Sequence, residues 1–149
     1  MTQRLDAAKV APELYRTISA LEQHVHANID PTLDELIKLR SSMINGCTFC
    51  IDMHSADALK AGETTARLFG LGAWHEAPFY TAKERAALAL TDEVTRLGPN
   101  GVSDEVWNGV RAEFEEREVA YLVARIGVIN LWNRLAIAFQ STPLSAARA

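Results

Sequence analysis

The sequence predicts an all-α fold, a single-domain bundle of about six to seven helices. Three observations predict it. Apolar residues recur at three- and four-residue intervals along most of the chain, the period of a helix with one buried face. Helix-start and helix-stop signals punctuate that pattern: Asp30-Pro31, Asn45-Gly46, Thr81 with Glu84, Gly98-Pro99 and Ser103. Almost nothing in the chain alternates with the two-residue period of a strand.

Pro12 suits the first turn of a helix running to about Asn28, with Leu14, Ile18, Leu21 and Val25 on one face. Asp30 then supplies an N-cap and Pro31 the first position of a second helix, which carries Leu33, Leu36, Ile37, Arg40 and Ile44 to the Asn45-Gly46 stop. A third helix begins around Cys47 and ends at Gly62; a short one covers Glu63 to Phe69, before an irregular stretch from Gly70 to Pro78. Thr81 and Glu84 form a capping box, and the helix they open stops at Gly98-Pro99. Ser103 caps a helix bearing Val106, Val110 and Phe114. The last helix, roughly Glu118 to Gln140, approaches a membrane span in apolar density, but Arg125, Asn130, Asn133 and Arg134 interrupt it. Unpaired in lipid those groups would be costly, so the expected place for this helix is the centre of a bundle or a subunit interface.

At 149 residues the chain is one domain by size, 1–149, large enough to bury roughly two-thirds of its unfolded surface. A net charge of −4 and a pI near 5.5 argue against a nucleic-acid binder, which needs a basic stripe. The first residues carry no apolar run, so no signal peptide is visible, and cytoplasm is the expected compartment.

Both cysteines of the chain stand in one motif, Cys47-Thr48-Phe49-Cys50, with His54 four residues on. Without a secretory signal, such a pair reads as a working dithiol. At a helix start, free N–H groups and the macrodipole favour a thiolate. Cys47, Cys50 and His54 share one stripe of a helix, and Cys50 and His54 are i, i+4 neighbours. That spacing favours Cys50 as the thiol served by the imidazole; the helix start favours Cys47 as the more acidic, more exposed thiol. Zinc remains an alternative, although Cys47, Cys50 and His54 supply three ligands and Glu35 is needed for a fourth. Glu35 taken alone reads as an i, i+3 partner of Lys38, and His54 alone as a structural helix histidine. His24 and His26 read as non-functional, Trp74 and His75 as packing, and the charges from Glu113 to Glu118 as a solvated stretch. Asn130, Asn133 and Arg134 are expected to satisfy one another and backbone carbonyls.

The run Glu35-Leu36-Ile37-Lys38-Leu39-Arg40-Ser41-Ser42, followed by Asn45-Gly46-Cys47-Thr48-Phe49-Cys50 and His54, resembles the core of the AhpD-like, carboxymuconolactone decarboxylase superfamily, with a motif core over about 31–62. Phe79 to Leu90 and Ile129 to Ala136 resemble the family's later helices, so the likeness spans nearly the whole chain in order and spacing. The resemblance implies an AhpD-like fold that self-associates as trimers or hexamers, and a dithiol that reduces hydroperoxides or exchanges disulfides. It implies no cofactor or metal, but an external protein or lipoyl dithiol as reductant, and no nucleic-acid or membrane partner. Glu35 stands twelve residues before Cys47, where the family has a relay glutamate, and His54 matches its relay histidine. AhpD itself carries a further histidine where this chain has Phe49, so the implied relay is Glu35, a water and His54. A carboxymuconolactone-decarboxylase-type lyase is a second reading, weakened because such a lyase needs no dithiol. A non-catalytic metal-binding or redox-sensing module is a third.

Overall fold

The computed structural model describes residues 2–147, in which eight α-helices and two short 3-10 turns are found and no strand. The helices are α1 (Ala7–Val10), α2 (Pro12–His26), α3 (Pro31–Asn45), α4 (Thr48–Lys60), α5 (Thr65–Gly70), α6 (Ala82–Arg96), α7 (Asp104–Glu113) and α8 (Glu116–Phe139). The all-α expectation holds. One element lies outside it: α1 is four residues long, too short to leave a periodic signal, and is capped by Asp6 accepting from Lys9 N.

The boundaries follow from cap chemistry. Asp30 Oδ1 accepts from Thr32 N at 2.9 Å and Leu33 N at 3.0 Å, satisfying two of the free donors at the start of α3. Gly46 ends that helix at φ 70°, a left-handed conformation that costs an L-residue with a Cβ. Thr81 and Glu84 form the capping box at α6, and Glu115 with Glu118 form another at α8, so part of the acidic run has a structural task.

The helix at the centre is α3. Its Leu33 and Ile37 join Ala87 and Leu90 of α6, Val110 of α7 and Leu122 and Ile126 of α8 in one apolar cluster. Its Leu36 and Leu39 join Ala58 of α4, Leu68, Leu71, Trp74 and Leu88 in a second. Burying each of these large aliphatic side chains contributes about 1.5–3 kcal/mol, which makes α3 the keel of the fold. Arg40 ties it to α6 through a fork on Asp92, Nε to Oδ1 at 2.6 Å and Nη2 to Oδ2 at 2.7 Å. The same guanidinium donates to Leu71 O and Gly72 O, anchoring the irregular segment; Trp74 is buried there as expected.

The last helix is long and apolar enough to cross a membrane by length and composition. It packs one side on α2, α3, α4, α6 and α7 and leaves Val123 and Leu131 each 39% exposed. It is therefore not the bundle centre but a flank with an uncovered apolar side. On α2 only half of the expected face is buried: Ile18 and Val25 are covered, whereas Leu14 and Leu21 are exposed.

Candidate active site

Because Gly46 turns the chain sharply, α4 starts directly against the end of α3, and Cys47 becomes its N-cap rather than its first helical residue. Cys47 Sγ accepts from Cys50 N at 3.3 Å, and the two cysteines are joined in a disulfide with a Cα–Cα distance of 5.3 Å. The expectation that Cys47 is the more exposed thiol is corrected: joined in the disulfide, Cys47 is 1% and Cys50 2% exposed.

Cys50 and His54, one turn apart on α4, open together onto a cleft of about 460 Å³. Its walls are chiefly apolar, from Tyr15 of α2, Phe49 and Met53 of α4, and Trp132 and Leu135 of α8. The segment from Gln3 to Ala8 crosses one side, held by Arg4 N donating to Phe139 O at 2.9 Å. Tyr15 and Trp132 meet edge-on with ring centroids 5.3 Å apart. Cys47 does not line this cleft.

Glu35 stands behind His54 rather than in the cleft. Its Oε1 accepts from Lys38 Nζ at 2.6 Å, so the i, i+3 pair read from the sequence exists. Its Oε2 lies 3.7 Å from His54 Nδ1, and among the described residues neither atom has a hydrogen-bond partner. At 3.7 Å the two atoms stand beyond a direct hydrogen bond.

A buried ion network, largely missed by sequence reasoning, surrounds this pair. Asp34, fully buried, takes Lys38 Nζ at 2.9 Å, His26 Nδ1 at 2.9 Å and Arg125 Nη1 at 3.3 Å. Arg125, also fully buried, forks onto Glu22, whose Oε2 further accepts from Trp132 Nε1 at 3.2 Å. Burial opposes the charge on Asp34 and Glu22, yet Lys38 and Arg125 hold both carboxyls below the usual range. Burial opposes the Lys38 ammonium as well, and Asp34 and Glu35 keep its pKa raised. Glu35 goes the other way, pushed up by burial. His54 is pushed down to about 4, first by burial and then by the Lys38 charge. It is thus a neutral imidazole at physiological pH, able to accept a proton.

Other expectations resolve locally. His26 is a partner of Asp34, and His24 Nε2 lies 3.1 Å from Tyr121 Oη. Asn130 donates to Ile126 O and accepts from Arg134, as expected, but Asn133 pairs with Asn45 and Ser42 of α3 instead. Among the described residues no three His, Cys, Asp or Glu side chains are grouped to hold a metal. A signal for the ion network was available, since Asp34 and Lys38 are i, i+4 on the Glu35 helix and Arg125 interrupts an apolar one.

An all-helical bundle with a C-x-x-C pair at a helix start, backed by a neutral histidine and a glutamate, defines the AhpD-like class. The sequence profile of the carboxymuconolactone decarboxylase family matches residues 12–93, and the chain belongs to that family. It is 42% identical over 139 residues to the uncharacterized protein YdfG of Bacillus subtilis, covering 93% of this chain and 95% of that one. ATU0492 of Agrobacterium tumefaciens, a protein of unknown function linked to the antioxidant-defence protein AhpD, superposes with a TM-score of 0.93 at 37% identity, covering 95% of this chain and 98% of that one. The debrominase Bmp8, in a complex with 2,3,4-tribromopyrrole, shares the fold with a TM-score of 0.83 at 22% identity, covering 94% of this chain and 75% of that one.

Proposed function

We propose that the protein is an AhpD-type thiol peroxidase and dithiol–disulfide oxidoreductase that reduces organic hydroperoxides without a cofactor. The observation that carries the reading is the opening of Cys50 and His54 onto one apolar-walled cleft, with Cys47 within disulfide reach. The cleft volume suits a hydroperoxide with an apolar body of small-ligand size.

The chemistry runs in three steps. The Cys50 thiolate attacks the distal oxygen of the hydroperoxide; an S–O bond forms, the O–O bond breaks, and alcohol leaves. His54 takes the Cys50 proton and returns it to the leaving oxygen, a role worth about 10²–10⁴-fold. Glu35, through its Oε2, holds the proton of His54 on Nδ1 and leaves Nε2 as the acceptor. The Cys47 thiol then attacks the sulfenic sulfur, water departs, and the Cys47–Cys50 disulfide closes. A protein or lipoyl dithiol reopens it through a mixed disulfide.

The lyase reading attached to the family's name fits less well, because a lactone decarboxylase has no use for two cysteines that pair. In the proposed setting the protein is cytoplasmic, where a reducing pool keeps the dithiol cycling. It self-associates, as a trimer or hexamer, by covering the apolar side of α8 at Val123 and Leu131. Neither nucleic acid nor membrane is a partner.

Cumene hydroperoxide consumption, followed with dihydrolipoamide as reductant, tests the function. Steady turnover that disappears in Cys47→Ser and in Cys50→Ser supports it. Reactive thiols without turnover, or stoichiometric zinc in the purified protein, would favour the sensing or metal-binding module instead.

A further inference from the structure

The two cysteines of the disulfide do not line the same cleft. Cys50 faces the cleft described above, whereas Cys47 faces a second cleft of about 490 Å³ between the start of α4, the end of α8 and the segment beyond it. Phe49 lines both, together with Ala136, Ser141 and Thr142. The second cleft is bounded by Ile137 of α8, by Gln140 just past its end, and by Pro143 and Ala146, and that outer segment is pinned to α4 by Ser145 N donating to Asp52 Oδ2 at 2.9 Å. Among the described residues no charged side chain lines it. The Cys50 cleft, by contrast, includes Asp6, Glu22 and His54.

We propose that the Cys47 cleft is the docking site of the reductant, that it selects an uncharged dithiol, and that oxidant and reductant therefore use separate openings. The inference rests on the dithiol cycle proposed above. Thiol–disulfide exchange is a displacement at sulfur, with the attacking sulfur, the attacked sulfur and the leaving sulfur in line. A thiolate in the second cleft reaches Cys47 on the side away from Cys50. The new S–S bond forms to Cys47, the Cys47–Cys50 bond breaks, and its electron pair leaves on Cys50, beside His54. The second thiolate of the reductant then attacks the reductant sulfur bound to Cys47 and expels the Cys47 thiolate. The reductant departs as its cyclic disulfide, and its two protons pass to the cysteines.

This direction of attack has a consequence for the cycle. It delivers the reduced sulfur straight to the cleft where the hydroperoxide binds, while the mixed disulfide stays in the other cleft. Attack through the Cys50 cleft would leave the mixed disulfide on the sulfur that must meet the peroxide. An anionic thiol would have to lose its hydration in a cleft that offers no counter-charge, which sets the preference for a neutral one.

The test starts from the oxidised protein. It is mixed with the neutral monothiol 2-mercaptoethanol, quenched rapidly with iodoacetamide and mapped by mass spectrometry. The mercaptoethanol adduct is expected on Cys47 and the carbamidomethyl group on Cys50; an adduct on Cys50, or on both equally, overturns the proposal. Reduction rates with dihydrolipoamide and with its carboxylate counterpart dihydrolipoate form the second arm. The neutral dithiol should reduce the disulfide faster by about tenfold or more, and Ile137→Lys should narrow or reverse that ratio. Equal rates in the wild type, or a ratio untouched by Ile137→Lys, contradict the uncharged cleft. Neither arm uses peroxide. If both succeed while hydroperoxides fail to oxidise the reduced protein, the peroxidase reading falls and the docking site stands.

Discussion

Glu35 and His54 face each other at 3.7 Å, Oε2 to Nδ1, while the other oxygen of the same carboxylate is held by Lys38 at 2.6 Å. One buried side chain thus joins an ion pair to a neutral imidazole. Lys38 fixes the carboxylate in place, and its positive charge helps to keep His54 unprotonated. The imidazole one turn from Cys50 therefore carries no charge of its own at neutral pH.

The first prediction concerns that base. Its folded pKa of about 4 lies below the ordinary value of 6.5, so between these limits the unfolded chain binds a proton that the folded chain refuses. Stability is intact above pH 6.5 and falls as the pH drops toward 4, by on the order of 3 kcal/mol from this group alone. Glu35, with its raised pKa, works in the opposite sense. Urea unfolding of wild type and His54→Gln should therefore show a steeper loss of stability on acidification in the wild type. Parallel curves would show that His54 titrates normally.

A companion change isolates Lys38. In Lys38→Met the positive charge beside the imidazole is gone, and His54 should titrate at a higher pH in its NMR ring signals. An unmoved His54 would mean that burial alone sets its pKa.

Arg125 should dominate the stability of the network. Arg125→Met leaves the carboxylates of Glu22 and Asp34 without their shared partner in the interior, which costs about 3–5 kcal/mol. Glu22→Gln keeps a hydrogen-bond acceptor and removes one charge, so its loss should be smaller. Chemical denaturation of the two variants orders them; a near-neutral Arg125→Met would show that the fork does not hold α2, α3 and α8 together.

Gly46→Ala tests the turn that presents the dithiol. At φ 70° a Cβ adds about 1–2 kcal/mol of strain, with open space around it. The loss should therefore come from the backbone alone, and Gly46→Asn, which tolerates this conformation, should lose less.

Much of this was legible in the sequence because it is local. Caps at Asp30, Thr81 and Ser103, the stop at Gly46 and the dithiol at the start of α4 each depend on residues within a turn or two of one another. The family resemblance added Glu35, whose i, i+3 reading pointed only to Lys38. What stayed hidden depends on residues far apart in the chain. The fork from Arg125 to Glu22 spans 103 positions, and no periodicity says which of two helices an interrupting arginine will face. Of the two places expected for α8, the bundle centre or a subunit interface, the sequence alone could not choose, since composition reports apolar surface but not what covers it. The placing of Cys47 and Cys50 in different clefts likewise appears only once α8 and the following segment are in place.

In the proposed cycle Cys50 attacks the hydroperoxide, with His54 as its base and Cys47 as its resolving partner. It is tested most directly by counting thiols in the reduced protein before and after a slight excess of cumene hydroperoxide, with a sulfenic-acid trap present in parallel Cys47→Ser and Cys50→Ser samples. Rapid loss of both thiols is expected in the wild type, and a trapped sulfenic acid in Cys47→Ser only. Thiols that survive no worse than free cysteine, or a sulfenic acid confined to Cys50→Ser, would contradict it.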